Sequence, residues 1–138
     1  MMLFSTFPIY GQNTIPLTPQ EYNLWSTLES PKTSHDGKWV SFFLRYKSGN
    51  DTLFLKKIDS KTTIAIPKVW NYKFSSNNHF VAIDKDNLLT IVDLKLEKQI
   101  NFNQVKDFEL LRNDKKIALI KKEDEKSQTL EIININGV

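Results

Sequence analysis

From Ser30 onward the apolar residues gather into short runs divided by polar turn-formers, and the same order of runs comes round three times. The units read "SPKTSHDGKWVSFFLRYKSGNDTLFLKKIDSKTTIAIP", "VWNYKFSSNNHFVAIDKDNLLTIVDLKLEKQINF" and "VKDFELLRNDKKIALIKKEDEKSQTLEIININGV". Aligning their turns sets Asp36-Gly37 over Asn77-Asn78 and over Asn113-Asp114, dipeptides that tolerate the left-handed backbone of a tight turn. Each turn feeds a dense apolar strand: Trp39 to Leu44, Phe80 to Ile83, and Ile117 to Ile120. A second hairpin turn follows ("KSGND", "DKDN" or "KEDEKSQ"), then a third strand ("TLFLKKI", "LLTIVDL" or "TLEIINI"). Units one and two add a fourth strand, "TTIAI" and "KQINF", and the third unit stops before its own.

The resulting period, about 36–41 residues, lies next to the ~40–45 of four-stranded propeller blades. A half-exposed antiparallel strand should alternate, yet "WVSFFL", "FVAI" and "IALI" are apolar on both faces. Inner strands of stacked blades need cover on both sides, whereas a plain sandwich leaves one face of each sheet wet. The pattern therefore predicts an all-β chain of about three four-stranded antiparallel β-propeller blades, an incomplete propeller, over 30–67, 69–102 and 105–138.

The segment before the repeats, 12–29, reads as a linker and a short amphipathic helix. Thr18 suits an N-cap, Pro19 the first helical position, and Glu21 completes a capping box. Tyr22, Trp25 and Leu28 then share one face at a spacing of three, which predicts a helix through Leu28 that docks on the body and caps the first blade. Residues 1–11, "MMLFSTFPIYG", look like the back half of a secretory signal cut after Gly11, although a basic start is missing and Ile9 is unusual three residues before the cut. That pattern places the protein outside the cytoplasm, in the periplasm or secreted.

Composition narrows the partners. The 138 residues fit one domain, and 40% apolar content supports a packed core. The net charge of +3 is mild, and only Arg45 and Arg112 are arginines, so no one-sided basic patch for nucleic acid is expected. No apolar run reaches the ~20 residues of a membrane-spanning helix. The chain has no cysteine, which removes disulfides, thiolate metal sites and a cysteine nucleophile.

Several stretches invite a chemical reading. Ser34, His35 and Asp36 stand side by side, but three adjacent residues cannot converge on one substrate atom as a triad does. They are read as a turn, with the three side chains serving backbone geometry and solvent contact. His35 and His79 occupy near-equivalent turns, yet two lone imidazoles beside Asp36 fall short of a metal's three or four ligands. "DKDN" (Asp84 to Asn87) lacks the glycine and later glutamate of a calcium loop. Trp70 and Tyr72, at alternate positions of a first strand, are expected to pack on the next blade rather than line a channel. No catalytic, cofactor-binding or metal-ligating residue is assigned.

"SPKTSHDGKWVSFF" resembles the blade motif of TolB-like propellers and of the N-terminal propellers of the prolyl oligopeptidase and dipeptidyl peptidase family of serine peptidases. The opening "EYNLWSTLESPKTSHDGKWVSF" is similar to exported members of the latter. The resemblance covers about Thr18 to Val138. It implies a non-catalytic propeller portion, a cap that gates substrate access, whose partners are further blades or an α/β-hydrolase domain. Members of that family carry a Gly-x-Ser-x-Gly nucleophile elbow, and none of the glycines here, at 11, 37, 49 and 137, brackets a serine in that way. The alternatives are a TolB-like envelope module that binds a protein or peptide, and a partially folding remnant. Three open blades also leave apolar faces uncovered, which predicts association with another chain or poor solubility.

Overall fold

The computed structural model describes residues 18–22, 24–124 and 126–135. The expected export signal and most of the linker, 1–17, lie outside them. Eleven strands follow one helical turn, α1 (Pro19–Tyr22): β1 (Ser26–Thr33), β2 (Trp39–Tyr46), β3 (Thr52–Lys57), β4 (Thr63–Pro67), β5 (Val69–Phe74), β6 (His79–Asp84), β7 (Leu89–Asp93), β8 (Lys98–Phe102), β9 (Val105–Leu110), β10 (Lys116–Lys122) and β11 (Gln128–Asn134).

Each sheet is an antiparallel meander. Blade 1 has the order β1-β2-β3-β4, blade 2 β5-β6-β7-β8, and blade 3 the three strands β9-β10-β11. The expected repeat is thus present, and blade 3 has no fourth strand among the described residues.

The first strand of each blade carries a bulge: between Glu29 and Lys32, between Val69 and Asn71, and in β9 opposite Ile120 and Lys121. The first is centred on Ser30, which adopts a positive φ of 52° and offers its carbonyl to the Tyr72 hydroxyl at 3.2 Å. A bulge re-aims a strand locally, and here it couples neighbouring sheets.

The core lies in two seams between blades. Trp39, Phe43, Leu53 and Leu55 of blade 1 meet Val69, Tyr72, Phe80, Ala82 and Val92 of blade 2. Aromatic rings dominate this seam: Tyr72 stands edge-on to Phe43 at 5.6 Å, and Phe74 edge-on to Phe80 at 4.9 Å. The second seam is mostly aliphatic, with Val81, Ile83, Leu89 and Ile91 of blade 2 against Val105, Phe108, Ile117 and Leu119 of blade 3. Tyr72 therefore packs on a neighbouring blade, but on the preceding one rather than the next. Trp70 does not: the bulge turns it outward, where its indole N–H donates to the Asp84 carbonyl at 3.1 Å.

Burial on both faces holds for the middle sheet alone. Every residue of β6 is buried, whereas β2 and β10 bury one face each.

The predicted helix through Leu28 is corrected. Glu21 makes its half of the capping box, accepting from the Thr18 N–H at 2.5 Å, while its own N–H donates to the Thr18 carbonyl rather than the hydroxyl, and the helix ends at Tyr22. One turn fixes many dihedrals for few hydrogen bonds. Residues 26–33 gain more by pairing along β2, with Ser26 opposite Tyr46 and Leu28 opposite Leu44. Trp25 consequently caps no blade; it is exposed beneath the Lys47 ammonium.

Trp39 is the largest side chain buried in the first seam, and its indole N–H donates to the Leu94 carbonyl across that seam at 3.1 Å. Trp39→Ala should cost about 3–5 kcal/mol. Trp39→Phe, which loses chiefly the hydrogen bond, should cost about 1–3 kcal/mol. Urea unfolding followed by far-UV circular dichroism checks both values and their order.

Candidate functional site

Antiparallel meanders put the turns on two opposite rims, and the polar chemistry of the chain collects there. On the first rim lies the Ser34-His35-Asp36-Gly37 turn. Its backbone is closed by Ser34 N–H to Trp39 C=O at 2.9 Å and Gly37 N–H to Ser34 C=O at 3.0 Å, and Gly37 supplies a φ of +70°. The Ser34 hydroxyl donates to Asp36 Oδ1 at 2.7 Å and accepts from the Trp39 N–H at 3.0 Å. Asp36 also accepts from the Lys38 N–H, and these bonds, the Ser34 hydroxyl first, hold its carboxyl below the usual range.

Ser34 thus serves the turn on both sides, as donor to an Asp36 carboxylate whose lowered pKa makes it a weaker base and as acceptor from the Trp39 backbone. One expectation changes: Ser34 is buried rather than solvent-facing, while His35 and Asp36 are exposed. Blade 2 repeats the device, with the Ser75 hydroxyl accepting from the N–H groups of Asn77 and His79 at 3.2 and 3.1 Å. Periodicity of apolar residues carries no signal for such a serine; its spacing ahead of the turn pair does.

The structure separates the two histidines. His35 sits in its turn, while His79 is the first residue of β6, buried and paired with Asp93. The turn of blade 2 is one residue shorter, closing from Ser75 N–H to His79 C=O. His79 Nε2 lies 3.9 Å from Asp93 Oδ2, beyond hydrogen-bond reach. Among the described residues no three His, Cys, Asp or Glu side chains group as metal ligands would. Asp84 of "DKDN" spends Oδ1 on the N–H groups of Asp86 and Leu88, both at 2.9 Å, so it organises the hairpin.

The second rim holds a groove of about 490 Å³ at the seam of blades 2 and 3. Asp86, Asn87, Asn103, Gln104, Lys122, Glu123 and Asp124 line it. Amides and carboxylates of this kind can hydrogen-bond a peptide backbone, but the lining has no nucleophile beside a base. No helix among the described residues is long and apolar enough to cross a membrane.

No protein-family model matches this chain, and no curated protein sequence is significantly similar to it. Solved structures are. The orthorhombic form of Pyrococcus horikoshii acylaminoacyl peptidase is similar over 87% of this chain, with a TM-score of 0.54 and 12% identity. The uncomplexed form is similar over 82%, at 0.52 and 13%. The β-propeller domain of the trilobed protease from Pyrococcus furiosus covers 79% of this chain at 0.49 and 14%. The chain spans about a quarter of the acylaminoacyl peptidase chains, 25% and 24%. At such identities the likeness is one of fold, and it agrees with the stacked blades seen here.

Ser34→Ala should raise the Asp36 pKa toward the ordinary carboxylate value, because it removes the first of the bonds that lower it. The sign for stability follows: a depressed folded-state pKa stabilises above the unfolded value and is lost as pH falls through the folded one. The variant should therefore lose less stability on acidification than the parent. Carboxyl chemical shifts in an NMR titration, with urea midpoints at several pH values, check both.

Proposed function

We propose that this chain is a non-catalytic propeller portion of an exported serine peptidase of the prolyl oligopeptidase type, acting as a cap that limits which peptides reach a separate α/β-hydrolase domain. The observation that carries the reading is the likeness to an acylaminoacyl peptidase over 87% of the chain, at a TM-score of 0.54. The blade motif "SPKTSHDGKWVSFF" supports it from the sequence side. The site geometry is consistent with a division of labour. The Ser34 hydroxyl and Asp84 Oδ1 spend hydrogen bonds on closing their own turns, which supports assigning the bond-breaking chemistry to another domain. Export rests on the apolar opening stretch of residues 1–11 alone.

Two measurements test the proposal. Purified chain supplied with a chromogenic proline dipeptide should give no turnover above a denatured control. The coding DNA that follows Val138 should carry further blades and a Gly-x-Ser-x-Gly segment, in frame or in an adjacent gene. Neither blades nor an elbow there, or turnover by the chain alone that is abolished by Ser34→Ala, would overturn it.

A further inference from the structure

On the first rim, between blades 1 and 2, lies a hollow of about 290 Å³ lined by Asp36, Lys38, Trp39, Lys57, Leu94 and Lys95. Both sheets that border it are complete, with four strands each, so its walls are supplied entirely by this chain. Trp39 and Leu94 are buried at its base, joined by the indole N–H bond to the Leu94 carbonyl. A solute entering the hollow therefore meets mainly charge.

The Lys57 ammonium is held by Glu97, which also accepts from the Thr62 hydroxyl at 3.2 Å, and it lies over the Trp39 ring at 5.9 Å. Lys38 and Lys95 are exposed, and neither ammonium forms an ion pair among the described residues. Asp36, the carboxylate in the wall, spends Oδ1 on the Ser34 hydroxyl and the Lys38 N–H. Three ammoniums thus line the hollow against one carboxylate, and Glu97 stands outside the lining.

The blade fold does not itself call for cations at these places. The N–H groups of Ile58 and Leu94 donate to the carbonyls of Lys38 and Asn78, which makes Lys38 and Asn78 equivalent. Lys57 pairs with Trp39 as Asp93 pairs with His79, so Lys57 and Asp93 are equivalent as well. Blade 2 makes the same backbone bond with an amide and an acid where blade 1 has two lysines. The lysine side chains are thus free to answer to something other than the sheet.

We propose that this hollow binds a phosphate group, with Lys38 and Lys95 meeting its oxygens and Lys57 adding a third positive charge beside the Trp39 ring. An ammonium is a compact point charge that suits a small, multiply charged anion, whereas a planar carboxylate is matched best by the fork of an arginine. Neither Arg45 nor Arg112 lines the hollow. At about 30 Å³ for each water in the liquid, the space exceeds one phosphate and leaves room for a small organic ester. The phosphate can thus arrive as the free ion or as a monoester. The proposal stands independently of the peptidase reading.

Titration of the full chain with inorganic phosphate and with phenyl phosphate, followed by heteronuclear NMR, tests it. The Trp39 indole resonance and the amide resonances of Lys38 and Lys95 should shift saturably with both, the tighter of the two naming the source as free ion or ester. Benzoate, with one charge and a planar head, should bind about tenfold more weakly than phenyl phosphate. Affinity should also fall as sodium chloride is raised. Lys38→Gln and Lys95→Gln should each weaken phenyl phosphate about two- to fivefold, and about tenfold together. Both positions are exposed and free of ion pairs, so these variants should keep the parent's far-UV circular dichroism and urea midpoint. Lys126→Gln, which removes the same charge from an exposed position on the other rim, should leave the affinity unchanged. No saturable shift, equal weakening by Lys126→Gln (an adventitious ion only), or benzoate as tight as phenyl phosphate would each overturn the proposal.

Discussion

A thin sheet that is apolar on both faces has no stable arrangement in water by itself, and the fold is the consequence of that constraint. Burying a Leu, Ile or Val side chain is worth about 1.5–3 kcal/mol, and a strand such as β6, apolar above and below, realises this only between two other sheets. The chain answers by repeating one meander and laying each copy broadside on the last. Its interior is therefore divided into two seams, Trp39 to Leu94 and Val81 to Ile135, that share the middle sheet. Hydrogen-bonding side chains are displaced to the rims and strand edges, which is why the candidate chemistry appears in turns.

The rims meet a second demand, since every turn must reverse the chain within a few residues using only two of the four glycines. Non-glycine residues accept the left-handed conformation instead: Asn78, Asn87, Asn113 and Asp114 in turns, Lys68 and Gln104 between blades. Short amides and acids tolerate it, but Lys68 and Gln104 incur about 1–2 kcal/mol each. Backbone bonds that hold adjoining blades together offset this. The Lys68 N–H donates to the Asp51 carbonyl and its own carbonyl accepts from Lys85; the Gln104 carbonyl accepts from Lys122 in the matching place. A one-residue linker can then join blades 1 and 2 without leaving backbone groups unpaired.

Much of this was legible in the amino-acid order. The turn pairs aligned correctly because left-handed tolerance is a local property; Gly37, Asn78 and Asp114, the second members of the aligned pairs, all have positive φ. Strand two of each unit was visible because its run is apolar without alternation, and strand three because an apolar run follows a second turn. The first strand of blade 1 was not. "STLESPKT" lies exposed along its whole length, so it has no burial pattern, and the capping box before it suggested a longer helix. Pairing with β2 decides its structure, and pairing is a long-range event that local spacing does not encode. The two histidines misled for a related reason. A turn shorter by one residue moves His79 from the loop into a strand and flips what it faces. For the candidate site, the dismissal of Ser34, His35 and Asp36 as a triad was readable from adjacency alone, while the burial of Ser34 required coordinates.

The substitution of histidine for tryptophan at one register position shows how the same packing is secured in two ways. In blade 1, Trp39 fills the head of the seam and reaches across to the Leu94 carbonyl. His79 occupies that place in blade 2, and its Nδ1 makes no hydrogen bond among the described residues. The second seam is tied instead from turn to turn: Asp114 accepts from the Ser76 N–H at 2.7 Å, and the Asn77 side-chain amide donates to the Asn113 carbonyl at 2.8 Å. The first seam has no such tie between those turns, and adds an ion pair from Lys57 to Glu97 farther along the rim. Directional bonds at the rim add to the close packing of each seam in holding the blades in register. The repeat can thus vary the residue that makes such a bond, provided that the faces beneath it continue to match.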